Sequence, residues 1–222
     1  MKILAIETAT VCCSVALLTD DQIAVRRHES PGSHSGQVLG MVRQLLQEQD
    51  LASGDLDLVA VDVGPGSFTG LRIGIGVAQG LAYTHGLPAM GIGSLAALAS
   101  AEPVRPVIAA LDARMRQVYW AVYQGGLELS APRVSDPDGV LPAVDELTLP
   151  STPIGLGNGW GAYPDQMPTQ INGVGLEIRG AELPDAGQIA QLAQMASADD
   201  YLSPLALNAA YVRNKVAEKS NR

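Results

Sequence analysis

Aromatic side chains are scarce in this chain. They make up 4% of its 222 residues, and Phe68 is the only phenylalanine. A core of this size must therefore be built from aliphatic residues, chiefly Ala, Val and Leu. Cysteine is nearly absent as well: the two present, Cys12 and Cys13, are neighbours. Adjacent residues on a strand point to opposite faces, so a mutual disulfide would be strained. The pair reads as two small sheet residues in a reducing compartment. Positive charge is in deficit, with 14 Lys and Arg against 23 Asp and Glu and a net charge of −9. Such a chain is repelled by phosphate backbones, which argues against direct, unaided nucleic-acid binding. Only the stretch from Arg213 to Arg222 is locally basic. Long apolar runs are missing too. None reaches the roughly 18 residues that a membrane span needs, and the apolar run before Glu7 is too short for a signal sequence. The expectation is a soluble, cytoplasmic protein without a membrane partner.

Several catalytic signatures are also lacking. The three histidines, His28, His34 and His85, show no i, i+4 pair of the kind that holds a metal on a helix. There is no Gly-x-Ser-x-Gly elbow and no defensible Ser–His–Asp set. We expect no catalytic residue, no metal and no cofactor.

What is present is glycine, above all in GPGSFTGLRIG, from Gly64 to Gly74. This loop follows an apolar strand at 56–63 and leads into a helix at about 69–85, which Gly86 and Pro88 terminate. Glycine lets the backbone turn tightly and lets another group approach closely. Ser67 and Thr69 can cap the helix. The loop lacks the Gly-Lys-Ser/Thr of a phosphate-binding P-loop and the spacing G-x-G-x-x-G. A phosphate site and a structural turn packing helix on sheet both remain open. Within the helix, Gly70 and Gly74, and beside them Gly76 and Gly80, recur at i, i+4. Each costs about 1 kcal/mol relative to alanine, so a close helix–helix approach must offset them, either inside the lobe or against a second chain. A preceding helix at 35–49 carries an apolar stripe, with Val38, Leu39, Met41, Val42, Leu45 and Leu46, that is wider than a surface helix requires. Glu7, Thr8 and Thr10 sit at the turn between the first two strands, where a carboxylate and hydroxyls can hold Mg²⁺ and phosphate or simply make a polar turn.

The element order predicted for residues 1–102 is β-β-β-α-β-α-β-α. After Pro103 and Pro106 it begins again: strands at 107–112, 117–124 and 127–134, a short helix at 138–147, a strand at 154–156, the Gly157–Gly161 turn, an irregular stretch with a strand near 176–178, a helix at 186–198, and a helix or extended segment at 205–217. Two domains follow, 1–102 and 103–222, as a duplicated α/β lobe inferred from element order alone.

ILAIETATVCCSVAL (3–17), His34-Ser35, VDVGPGSFTGLRIGIGVAQGLA (61–82), Ser94-Leu95 and the close Ala210 to Ala217 together resemble the bacterial TsaB (YeaZ) family of threonylcarbamoyladenosine biosynthesis proteins. The resemblance spans nearly the whole chain, and it is looser in the second half. It implies an α/β fold of two actin-like ATPase (ribonuclease H-like) lobes, each a mixed sheet with flanking helices. It implies an accessory role in placing threonylcarbamoyl on the adenosine beside the anticodon of tRNAs that read codons beginning with adenine. The implied partners are a TsaD-like catalytic paralogue, which binds metal through paired histidines, and a TsaE-like ATPase. The resemblance further implies a homodimer when the protein is alone and contact with tRNA only through the complex. By the same resemblance Gly64, Pro65, Gly66, Ser67, Thr69, Gly70, Arg72 and Gly74 form a docking-helix motif, and the expected partner interface is Gly66, Ser67, Thr69, Gly70, Arg72, Ile73, Gly74 and Val77 with Val38, Met41, Val42 and Leu45 of the broad apolar stripe. Glu7, Thr8 and Thr10 become a degenerate phosphate turn. On this view Gly74→Leu abolishes pairing and leaves the monomer folded. The alternatives are a standalone ATP-binding kinase or hydrolase of the actin-like superfamily, using Glu7, Thr8, Ser67 and the Gly157–Gly161 turn, and a zinc protease.

Overall fold

The structure is a computed structural model that describes residues 1–20, 22–29, 34–140, 144 and 147–212. Its first half runs β1 (Lys2–Glu7), β2 (Cys12–Thr19), β3 (Gln22–Glu29), α1 (His34–Glu48), β4 (Leu58–Gly64), α2 (Phe68–His85), β5 (Ala89–Gly93) and α3 (Ser94–Ala99). The second half runs β6 (Val107–Arg114), β7 (Gln117–Gln124), β8 (Leu127–Ser135), β9 (Ile154–Leu156), α4 (Asn158–Ala162), β10 (Gln170–Ile171), β11 (Val174–Gly175), β12 (Glu177–Arg179) and α5 (Ala186–Met195).

The two five-stranded sheets share one topology. The first is ordered β3-β2-β1-β4-β5 and the second β12-β9-β6-β7-β8. In each, an antiparallel three-strand meander is extended from its first strand by two parallel strands. The duplication inferred from element order is therefore present in the strand connections. Two local expectations need correction and one is borne out. The Gly157–Gly161 turn is the start of α4, because Gly157, at φ 110°, turns the chain directly into it. The predicted helix at 138–147 is entered through a 3-10 turn, Pro137–Gly139, after which Val140 and Val144 are helical; residues 141–143 and 145–146 lie outside the described residues. The chain after α5 makes a 3-10 turn at Pro204–Ala206 and then runs irregularly to Val212. The remainder of the predicted 205–217 segment lies outside the described residues.

Strand alternation divides the core of the first sheet between its faces. Leu4, Ile6, Cys13, Val15, Leu17, Val59 and Val61 point toward α1 and α2. Ile3, Ala5, Ala16, Leu18, Leu58 and Ala60 point the other way, toward Ala186, Ile189, Ala190 and Ala193 of α5. So the last helix of the chain covers the first sheet. Conversely, Leu95, Leu98 and Ala99 of α3 pack on Val107, Ala109, Leu111 and Ala121 of the second sheet. The following chain also returns to the first half: Ala89 and Leu202 exchange backbone hydrogen bonds, Leu207 is buried beside α2, and the Ala210 N–H donates to the Val63 carbonyl at 2.7 Å. No helix among the described residues is long and apolar enough to cross a membrane.

Candidate functional site

The glycine loop meets the β1–β2 turn backbone to backbone. The Ser67 N–H donates to the Ala9 carbonyl at 2.7 Å. Ser67 is the N-cap of α2, its hydroxyl accepting from the Gly70 N–H at 3.2 Å. Thr69 lies inside the first helical turn, exposed, and caps nothing in the described structure. At the other end Gly86, in the left-handed region at φ 65°, closes the helix. The reason for glycine at 66, 70 and 74 is local. A methyl group at Gly66 would lie 2.5 Å from the Ala9 carbonyl, and one at Gly70 or Gly74 would collide with the Thr8 carbonyl or the Thr8 hydroxyl. These three glycines let α2 lie directly on the β1–β2 turn of its own protomer.

That finding corrects part of the predicted interface. Gly70 and Gly74 are buried, and Gly74→Leu would strike Thr8 before it reached any partner. It would not leave the monomer unperturbed. Val38, Met41, Val42 and Leu45 are also unavailable to a partner. All four are buried in the core between α1 and the first sheet. The wide stripe is needed because α1 covers the sheet and touches α2 at the same time. Ile73 and Val77 are half-buried against that core, and Gly66 is half-buried beside the turn. Ser67, Thr69 and Arg72 are exposed, and the Arg72 guanidinium lies 3.8 Å from the centre of the Phe68 ring.

The solvent faces of α1 and α2 carry a different set. A methyl group added at Gly36, Gly40, Gly76 or Gly80 would meet no atom within 4 Å. Each helix thus presents an i, i+4 pair of glycines outward, with Leu39 on α1 and Tyr83 on α2 exposed beside them. Nothing among the described residues requires glycine at these positions. Gly76 and Gly80 were legible as a helical pair; Gly36 and Gly40 carry the same spacing on α1.

The predicted phosphate turn is occupied by the protein itself. Glu7 and Thr8 are fully buried. Glu7 Oε1 accepts from the Ala9 N–H at 2.7 Å and the Thr10 N–H at 3.0 Å. The Thr8 hydroxyl donates to the Gly70 carbonyl at 2.7 Å. The N–H groups a phosphate would need are thus spent on the Glu7 carboxylate. Next to this turn a cleft of about 300 Å³ separates the two sheets, lined by Ala9, Thr10, Gly66, Asp112, Arg114 and Asn158 among others. Its far wall is tied by Asp112, which accepts from the Tyr163 hydroxyl at 2.9 Å and pairs with Arg114 at 3.2 Å. Of the residues named for the kinase alternative, Ser67 and Asn158 reach this cleft, whereas Glu7 and Thr8 do not. No cluster of three potential metal ligands occurs among the described residues.

Asp62 was not singled out from the sequence, yet it is the second fully buried acid. The only signal was an acidic residue inside the apolar run of β4. Its Oδ1 accepts from the Gly64 N–H at 2.7 Å and the Ser94 hydroxyl at 2.6 Å. Burial raises its pKa to about 7, although both hydrogen bonds pull the other way. Burial, and then the charge of Asp62, push the Glu7 carboxyl well above the usual carboxylate range.

Comparison with known proteins supplies the remaining findings. Residues 28–145 match the family model described as TsaD: tRNA N6-adenosine threonylcarbamoyltransferase. The tRNA threonylcarbamoyladenosine biosynthesis protein TsaB of Escherichia coli K12 is 37% identical, over 99% of this chain and 97% of that protein. The protein of the same name from Haemophilus influenzae is 32% identical, over 99% and 96%. The solved structure of YeaZ from Pseudomonas aeruginosa superposes with a TM-score of 0.83 at 33% identity, covering 95% of this chain and 99% of that one.

Proposed function

Because this chain belongs to the TsaB (YeaZ) family and takes part in tRNA threonylcarbamoyladenosine biosynthesis, we propose that it contributes by docking rather than by catalysis. The observation that carries this reading is the pairing of an occupied phosphate turn with open glycines on the neighbouring α1 and α2. A helix glycine facing solvent costs about 1 kcal/mol against alanine, and Gly36, Gly40, Gly76 and Gly80 gain nothing for it inside the protomer. Small residues at that spacing let a second helix pair approach to backbone distance. The partner is a TsaD-like catalytic subunit. It presents equivalent helices, and the four-helix contact holds its active cleft in shape and forms the seat for a TsaE-like ATPase. In the absence of that partner the same face pairs two copies of this chain. Thr69, Arg72 and Tyr83 rim the contact, and tRNA is held by the other subunits because this one is acidic.

The test is Gly76→Leu and Gly80→Leu, measured for complex formation with a purified TsaD-like subunit by analytical ultracentrifugation. Affinity should fall at least about tenfold, the equivalent of roughly 1.4 kcal/mol, with the circular dichroism spectrum unchanged. Wild-type affinity in both variants would remove this face as the docking surface. Titration of the isolated chain with Mg–ATP by calorimetry separates the kinase alternative: micromolar binding would favour an enzyme working in the interlobe cleft.

A further inference from the structure

Glu7 and Asp62 end neighbouring parallel strands. The register of β1 with β4 pairs Ile3 with Leu58 and Ile6 with Val61, so the next pair in line is Glu7 with Asp62. Both side chains fall on the face shared with Ala5 and Ala60, toward α5 and away from α1. Both residues are 0% exposed. Each carboxyl group is half satisfied in the same manner. Glu7 Oε1 takes the Ala9 and Thr10 N–H groups, and Asp62 Oδ1 takes the Gly64 N–H and the Ser94 hydroxyl. The other oxygen of each, Glu7 Oε2 and Asp62 Oδ2, is buried and has no hydrogen-bond partner among the described residues.

Two ionised carboxylates side by side without water or counter-charge are costly, because desolvation and mutual repulsion act together. The groups around them do not relieve that cost. Along the same row, β2 offers the Ser14 hydroxyl, which accepts from the Ala186 N–H. β3 offers Arg27, which is engaged by Asp185 at the N-cap of α5. β5 offers Ile92 and Gly93, and α3 offers only Ser94. The Cys13 thiol and His28, paired in register, lie on the opposite face. Arg72 on α2 lies over Phe68. No ion pair to either carboxyl occurs among the described residues.

We propose that Glu7 and Asp62 hold one proton between Oε2 and Oδ2, an acid–carboxylate pair that locks the β1–β2 turn, the glycine loop and the start of α3 together at the base of the interlobe cleft. The proton comes from solvent when the chain folds and returns to it when the pair is wetted. The lock joins three segments at once, since the satisfied oxygens reach Ala9 and Thr10, Gly64, and Ser94. Because α3 packs on the second sheet, loosening the pair loosens the connection between the sheets. The lock therefore weakens as pH rises. This inference does not depend on the docking role.

The experiment is a thermal and urea unfolding series across about pH 5 to about pH 8 on the full chain, with Glu7→Gln, Asp62→Asn and the double variant. The native state binds a proton that the unfolded chain gives up, so the folded-to-unfolded ratio of the parent should fall by up to roughly tenfold per pH unit within this window. In either single variant the amide replaces the proton: its oxygen accepts what the carboxyl oxygen accepted, and its NH₂ donates to the facing carboxylate. Both singles should fold, and both should lose the slope. The double variant sets two NH₂ groups against each other and should be less stable than either single at neutral pH. Carboxyl ¹³C shifts of the parent supply a readout free of mutation, with one of the two groups staying protonated above about pH 6, well beyond the ordinary carboxylate range. A flat or rising stability profile in the parent, singles that keep the parental slope, a double variant as stable as the singles, or two carboxyls that titrate normally would each overturn the proposal. So would stabilisation of the parent by added Mg²⁺ or Ca²⁺ that Glu7→Gln abolishes, since the pair would then be holding a cation.

Discussion

At the scale of single residues, the glycines of α2 fall into two kinds that look alike in the sequence. Gly70 and Gly74 are small because Thr8 is in the way; Gly76 and Gly80 are small although nothing is in the way. Alanine scanning should separate them with opposite signs. Gly74→Ala should destabilise the monomer by about 1–3 kcal/mol through overpacking. Gly76→Ala should stabilise it by about 0.5–1 kcal/mol, because helix propensity improves at no steric cost, while weakening association with the partner. Chemical denaturation of the isolated monomer reads both. Ser67→Ala, which removes the N-cap hydroxyl from the Gly70 N–H, should cost about 1 kcal/mol in the same assay. The sequence shows the spacing of these residues but not what stands opposite them, and steric necessity lives in that opposing atom. Asp62 was overlooked for the same reason. An acid in an apolar strand is visible, but its alignment with Glu7 across β1 and β4 is a fact of register.

At the scale of elements, periodicity did most of the work. The meander, α1, α2 and the strand after Pro106 all begin and end close to where apolar alternation, the Ser67 cap and the Gly86 stop place them. A broad apolar stripe has two explanations, an interface and a helix packed on two neighbours. Here Val38 and Leu45 are fully buried in the lobe, and the available surface is the polar, glycine-bearing side. The weak spots were the shortest elements, the five-residue α4 and the β10–β11 hairpin of two-residue strands, where little pattern can accumulate. The segment after α5 was legible only as a run without strong periodicity. Its hold on the first half rests on particular contacts, chief among them the buried Leu207, whose carbonyl accepts from Gln79 Nε2 at 3.2 Å. Leu207→Ala should cost about 2–5 kcal/mol, as for other buried Leu truncations, and should increase protease cleavage around residues 203–212 in a limited-digestion time course.

At the scale of the whole molecule, charge and topology set the behaviour. With a net charge of −9, the isolated chain should retain no tRNA in a filter-binding assay at physiological salt, and any retention should appear only when the partner subunits are added. The exchange of helices between the halves has a sharper consequence. α3 is encoded before Pro103 and covers the second sheet; α5 is encoded near the end of the chain and covers the first. A gene cut at that proline would therefore yield two polypeptides, each with one sheet face bare and a helix parted from the sheet it covers. Neither piece should fold by itself, yet the two co-expressed should reconstitute one particle, which makes this chain a natural split reporter.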